Sequence, residues 1–455
     1  MSALVGRPVR SASHAKVHDV LSVTWRCFQV SFEIWREICF LIFNLQLYRE
    51  GAARIALGKS LASLLERLGP TFIKLAQVLS SRPDVFSPAL IEPLSRLREH
   101  VKPIPTRQIP ALLAAGLVDP VSHIFRDFEL SPIACGSISQ VHRAQLTGGQ
   151  NVAVKIRRPG AAPTVRADLL FLRQLAGWLE HLPNLRGLPL SSIIDECGRV
   201  IEDQLDFRME AENMRRFRSN LAKLPGIIVP RVYVELSSDS VLIMEYLCDF
   251  NRVGDVRLPE DERHRAAQLC VNVLYTMTFE NGLVHADLHP GNLFFTVRGD
   301  LVLVDFGMVT KLEGSDLRSF ANFFFAMVTN QGRQCAQVIY DTSLSQSQQF
   351  DRARFEADIS EMVSRHASQR ARDFEVSRFA SELFQIQRRH GLYGSPKFAT
   401  VILAFVVLEG IVKQLYPQLD FMAQARMFIP RVIRGMRTWK TGEPVGINCP
   451  GSGFC

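Results

Sequence analysis

An α+β fold of two lobes, with a mainly helical second lobe and a helical extension ahead of the first, is predicted by three observations. Two short apolar runs, Asn292–Val297 and Leu301–Val304, flank Arg298-Gly299-Asp300, and Gly-Asp between β-prone runs is a hairpin signal. Upstream, strand-like runs at Ile124–Ile133, Ile138–Leu146 and Val152–Ile156 are separated by the small-residue loop Ala134-Cys135-Gly136-Ser137 and a Gly148-Gly149 turn. Most of the remaining chain repeats its apolar residues at helical spacing.

Composition sets the bounds. The 455 residues allow two or three domains or lobes. With 47% hydrophobic and 22% charged residues the chain is globular rather than disordered. A net charge of +8 and a pI near 9.1 favour an anionic partner, either a nucleotide or an anionic membrane surface. No zinc-finger or RNA-binding signature is present, which leaves nucleic acid outside the expected partners. The nine cysteines are scattered without a C-x-x-C pair, as expected of reduced thiols in a cytoplasmic setting.

In chain order, 1–56 comprises a basic tail and an amphipathic helix at Asp19–Tyr48, readable as a docking helix or as one lying at a membrane surface. The charges Arg26, Glu33, Arg36 and Glu37 break the apolar run, so no signal peptide is expected. A helical extension covers 57–123; in it Lys74, Gln77 and Ser81 fall on one helix face. The first lobe, 124–250, contains the strands above, helices at Pro163–His181 and Ser192–Leu221, and strands at Ile227–Leu236 and Val241–Leu247. The second lobe, 251–455, opens with a helix over Asp261–Asn281 and continues as helices after the hairpin. Phe398–Val412 contains Glu409 and is short for a bilayer, so a buried helix is expected and no membrane span. Ala423–Lys440 sets Arg431, Arg434 and Arg437 beside Met427, Phe428, Ile433 and Trp439, the pattern of a helix at an anionic headgroup layer.

The hairpin carries chemistry. Asp287 and Asn292 stand before it and Asp305 after it, so the turn brings the three together. The His-x-Asp-x-x-x-x-Asn spacing followed by Asp-Phe-Gly is the protein-kinase set. In that set Asp287 orients the acceptor as catalytic base, while Asn292 and Asp305 hold magnesium at the phosphates. Val152-Ala153-Val154-Lys155 after a small loop is the matching first-lobe pattern. There the loop covers the phosphates and Lys155 pairs with them. A helix glutamate must hold that lysine; Glu196, Glu202 and Glu210 are all candidates. The hinge at Met244-Glu245-Tyr246 would offer backbone groups to adenine. The segment after Gly307 is short and lacks an A-P-E ending, which argues for a small-molecule or internal target rather than a protein one.

With those residues in hand the chain resembles the UbiB/AarF-domain atypical kinases over roughly Leu57–Tyr416. The resemblance rests on L-G-P-T-F-I-K-L-A-Q at 68–77, similar to the family's K-x-G-Q helix; A-C-G-S-I-S-Q-V-H at 134–142, similar to its Ala-rich loop; D-F-R-M-E-A-E-N at 206–213, which resembles the stretch beginning at E-x-D; and H-A-D-L-H-P-G-N with D-F-G. It implies a bilobal protein-kinase-like fold whose extension crosses the cleft and turns Lys74 and Gln77 toward the nucleotide. It also implies ATP or ADP with magnesium or manganese, and work in isoprenoid quinone (ubiquinone) biosynthesis. Partners would be lipid or quinone intermediates and other quinone-biosynthesis proteins, met peripherally at the inner face of a membrane. A nucleotide-dependent scaffold without catalysis and a small-molecule phosphotransferase are the alternatives. Four departures stand out: Ala76 for the glycine of K-x-G-Q, Gln204 for the E-x-D glutamate beside Asp206, Gly136 for an alanine, and Leu288 for a proline.

Overall fold

The computed structural model describes residues 25–37, 39, 50–95, 97, 102–182, 189–255, 257–347, 349–367, 374–420 and 428. α1 (25–37) precedes the extension, whose first helices are α2 (Glu50–Leu68), α3 (Pro70–Ser80) and α4 (Pro88–Ser95). Gly69, with φ +100°, turns the chain between α2 and α3, and Pro70 starts α3 at a position that needs no amide donor. Phe72, Leu75, Ala76 and Val78 of α3 share one apolar cluster with Leu65 and Leu68 of α2. The methyl of Ala76 is fully buried there.

α5 (Ile109–Gly116) and α6 (Val121–Ile124) close the extension and lead into the first-lobe sheet, ordered β1-β2-β3-β5. Its strands are β1 (Phe125–Cys135), β2 (Ser139–Leu146), β3 (Asn151–Arg157) and β5 (Val241–Glu245). Val152, Val154 and Ile156 pack with Ile109 and Leu113 of α5. Alternation along β3 therefore turns Ala153 and Lys155 to the other face. Between β3 and β5 run α7 (Ala161–Leu179), α8 (Leu190–Asp203), α9 (Phe207–Leu221) and the two-residue β4 (Ile227–Ile228).

Two expectations are corrected here. Ser192–Leu221 is not one helix: the chain breaks at Gln204, and Asp206 caps α9 by accepting from the Arg208 amide at 3.0 Å. Nor is Ile227–Leu236 a continuous strand. Pro230 interrupts the run, and only a single bridge, Val232 to Met244, follows β4.

The second lobe holds β6 (Phe250–Arg252), α10 (Glu260–Tyr275), β7 (Leu283–His285), β8 (Leu293–Thr296), β9 (Leu301–Leu303) and β10 (Val309–Lys311). β8 and β9 form the expected hairpin, with Gly299 at φ +75° in its turn, inside a sheet ordered β4-β9-β8-β6. After β10 come α11 (Ser315–Val328), α12 (Gly332–Asp341), β11 (Ser345–Gln346), α13 (Arg352–Ala367), α14 (Val376–His390), β12 (Leu392–Tyr393) and α15 (Pro396–Leu415).

α15 is long and apolar enough to cross a membrane, yet most of its apolar residues pack in the second-lobe core. Glu409 lies within it, buried, and accepts from the Val376 and Ser377 amides at 2.9 and 3.0 Å, so it serves as the N-terminal cap of α14. Glu409→Ala should cost about 1–3 kcal/mol, because two buried donors lose their partner. Urea unfolding monitored by circular dichroism checks this, and an unchanged midpoint would refute it.

The membrane reading of Ala423–Lys440 falls outside the described residues, except for Phe428. That ring is buried and stacks on Tyr275 at 4.9 Å.

Candidate active site

Between the lobes lies a cleft of about 380 Å³. Ala134, Cys135, Gly136 and Ser137 line its roof, where β1 turns into β2. Gly136 is fixed at both ends of its peptide: its amide donates to the Ser139 carbonyl at 2.9 Å, and its own carbonyl accepts from Arg158 at 2.8 Å. Lys155, Glu245, Tyr246, Asp287, Asn292 and Asp305 all line the same cleft, as does Lys74 of α3.

Gln77 does not. One turn beyond Lys74, α3 has carried it past the cleft, and Val78, Ser81 and Arg82 line a second cavity of about 510 Å³ that shares Gly307 and Met308 with the first. Asp206 is also outside the cleft, bound to Arg208 at 2.7 Å, while Gln204 lines it.

The glutamate left open by the sequence is Glu210. Both of its carboxylate oxygens lie 2.9 Å from Lys155 Nζ, and Asp305 Oδ1 is 3.4 Å from the same ammonium. Glu196 instead faces Arg82 at 3.1 Å. Burial alone would lower the Lys155 pKa, but the carboxylates of Asp305 and Glu210 outweigh it and hold it above the usual lysine range. Burial pushes the Glu210 carboxyl up. Asp305 is half exposed to the cleft, and against the desolvation there Lys155, Lys74 and the Gly307 amide hold its carboxyl well below its ordinary range.

Asp305 adopts φ +57°, a left-handed backbone that is uncommon for a residue with a side chain. Its Oδ1 accepts from the Gly307 amide at 3.2 Å, and the next carbonyl, that of Phe306, accepts from Asn213 of α9 at 3.0 Å. Such strain persists where surrounding contacts over-determine it, and here a helix amide and a turn amide supply those contacts.

Asp287 is fixed from three sides. Its amide donates to His285 Nδ1 at 3.2 Å, which leaves the Nε2 proton of His285 for the Val304 carbonyl at 3.2 Å. His285 is fully buried, and that burial lowers its pKa, so the ring is neutral. Asn292 donates to the Asp287 carbonyl at 3.0 Å, and His289 lies 3.7 Å from Asp287 Oδ2. The Asp287 carboxylate raises the His289 pKa in spite of the desolvation that opposes it. His285, His289 and Asn213 were not singled out from the sequence. The two histidines flank Asp287 at ±2, and that was the available signal.

At the hinge, the Glu245 and Tyr246 amides donate to the Arg231 and Asn151 carbonyls at 2.7 and 3.1 Å. Both amides are thus already paired with backbone carbonyls, and of the hinge's backbone groups these two donors are not open to an adenine edge.

A strand lysine held by a helix glutamate, set over an Asp–Asn–Asp group on a hairpin, defines a protein-kinase-like fold. Residues 96–339 match the ABC1 atypical kinase-like domain, and residues 359–420 match the UbiB helical domain. The chain is 30% identical over 389 residues to the probable protein kinase UbiB of Sodalis glossinidius, spanning 84% of this chain and 71% of that one. It is 30% identical over 401 residues to the same-named protein of Marinobacter nauticus, spanning 86% and 73%. A solved structure titled as the complex of Rv3197 with erythromycin, from Mycobacterium tuberculosis, superposes with a TM-score of 0.52 at 24% identity, over 72% of this chain and 84% of that one; it bears on the fold alone. The chain belongs to the UbiB family of ABC1 atypical kinase-like proteins.

Proposed function

We propose that the chain is an ATP-using phosphotransferase or ATPase that supports isoprenoid quinone or related lipid biosynthesis from the cytoplasmic side of a membrane. The observation that carries this reading is the convergence of Lys155, Asp287, Asn292 and Asp305 on one cleft, with Lys155 held by Glu210.

The donor set fits a nucleotide with a hard cation. Asn292 spends its amide nitrogen on Asp287, which leaves its Oδ1 oxygen available, and the Asp305 carboxyl is held ionised. Bound nucleotide with magnesium or manganese would supply the transferable phosphoryl group and the counter-charge on its oxygens. Asn292 and Asp305 would hold that cation, and Lys155 would orient phosphate oxygens beneath the 134–137 turn. Asp287, with its carboxylate kept free of a proton by His289, would take the proton of an acceptor hydroxyl or water. With the hinge donors consumed, the next amide able to meet an adenine edge is that of Leu247, which lines the cleft.

The acceptor is small or internal. Only β10 and a tight turn separate Gly307 from α11, so no activation segment is available to dock a peptide. α3 also places Lys74 in the cleft. Gln204 in the cleft favours a second reading, a nucleotide-dependent scaffold of other quinone-biosynthesis proteins, because a carboxylate is missing there relative to the family pattern. Steady ATP hydrolysis that requires Asp287 separates the two.

Asp305→Asn should leave the fold intact and abolish magnesium-dependent nucleotide binding. In thermal unfolding, ATP at about 100 times its Kd stabilises by about 2.7 kcal/mol. The wild type should show that shift only with magnesium and the variant should show none; equal shifts would sink the assignment.

A further inference from the structure

α1 carries two opposed faces. Arg26 binds Asp168 of α7 at 2.7 and 3.1 Å and the Leu68 carbonyl at 2.5 Å, Val30 is fully buried, and Glu33 and Glu37 bind Arg67 of α2. These contacts fix the helix to the extension. On the far side Trp25, Phe28, Phe32 and Trp35 are 62, 61, 49 and 62% exposed. At one turn per 3.6 residues they fall within an arc of ~80°, roughly opposite Arg26, Val30 and Glu37. Among the described residues their ring contacts are with one another, Trp25 on Phe28 at 5.7 Å and Phe32 against Trp35 at 6.2 Å. A soluble protein rarely displays such a stripe without an occupant.

We propose that this stripe is the surface by which the protein lies on a lipid bilayer, an addition to the membrane role proposed above that gives it a defined contact. Three features select lipid over protein. The two tryptophans bracket the two phenylalanines, the order expected when amphipathic rings stay at headgroup level and apolar rings sink between them. At ~150–250 Å² per ring and the exposures above, the stripe offers roughly 500 Å², less than the ~800 Å² per partner of a standard protein interface. A bilayer needs no matching partner area, and the +8 net charge draws the chain to an anionic leaflet. The described turns, 25–37, run ~20 Å, and with Arg26, Glu33 and Glu37 holding their opposite face to α7 and α2 they lie along the surface with the rings outward.

Flotation of the full chain with vesicles of phosphatidylcholine and phosphatidylglycerol provides the experiment. Trp25, Phe28, Phe32 and Trp35 replaced together by serine should lower bound protein on the order of tenfold. Nucleotide-induced thermal stabilisation of that variant should stay at the wild-type value, which shows that it is folded. Asp305→Asn, by contrast, should float like the wild type, so failure of the nucleotide reading and failure of the lipid contact are told apart. Independently, in Trp178→Phe/Trp439→Phe, which keeps Trp25 and Trp35, brominated lipid should quench the remaining fluorescence. A serine variant that floats as well as the wild type, or absence of quenching, overturns the proposal. A concentration-dependent wild-type dimer that the serine variant abolishes also overturns it, in favour of a second copy as the occupant.

Discussion

Lys155→Met will destabilise the folded protein by about 3–5 kcal/mol and abolish nucleotide binding at the same time. The ammonium and the Glu210 carboxylate are both buried, with side-chain exposures of 10 and 3%. Removing the cation leaves the buried Glu210 carboxylate beside that of Asp305, which opens on the cleft, a like-charge pair that protonation of Glu210 relieves.

The penalty therefore has a pH signature. Burial already raises the Glu210 pKa, and without Lys155 it rises further. A carboxyl whose folded pKa exceeds its unfolded value binds more protons when folded, so stability falls as pH rises through that interval. The variant should lose stability more steeply than the wild type between about pH 5 and 8. Adding Glu210→Leu should restore most of the midpoint while nucleotide binding stays absent. If the single variant unfolds with the wild-type midpoint at pH 8, the pair is not the anchor described here.

That pair also marks the limit of what the sequence discloses. Asp287, Asn292 and Asp305 were legible because a tight hairpin fixes their relative positions locally, and Lys155 because its strand and the small loop before it form a recognisable pattern, although only the packing of the lobes brings it to them. Glu210 was not, since three helix glutamates had equal claims and only the break at Gln204 decides which one turns inward. No glycine or proline marks that break; Asp206 as a cap was the one clue. Pro230, by contrast, was a readable signal that Ile227–Leu236 could not be one strand. For Lys74 and Gln77 the shared helix face was readable, but that Lys74 reaches the cleft while Gln77 lines neither cavity depends on how α3 crosses the lobes. For Asp19–Tyr48 the amphipathic pattern was readable, with docking and membrane contact both left open. The structure shows that the docked face is built from Arg26, Val30 and Glu37, and the aromatic rings point away from it.

Arg82→Ala should release the extension from both lobes. Arg82 is buried at the C-terminal end of the α3 segment and forks onto Asp84 at 2.9 and 2.8 Å. It also reaches Glu196 of α8 at 3.1 Å and the Gly394 carbonyl of the second lobe at 3.4 Å. Arg388 of α14 donates to the Pro83 carbonyl beside it. One guanidinium thus joins the extension, the first lobe and the second lobe, a geometry that lysine cannot reproduce with a single ammonium. Its loss leaves Asp84, almost fully buried, without its bidentate partner, which costs about 3–5 kcal/mol. Because α3 carries Lys74 into the cleft, that release should be felt there. Amide exchange across 70–84 should quicken in the variant while the β3 and α9 amides around Lys155 and Glu210 keep their protection. Arg82→Lys should fall between the two. Generic proteins should remain unphosphorylated in the wild type, since α3 and the short segment after Gly307 leave no peptide groove. Exchange across 70–84 that matches the wild type in Arg82→Ala would mean that the apolar cluster around Phe72 and Leu75, and not this clasp, holds the extension over the cleft.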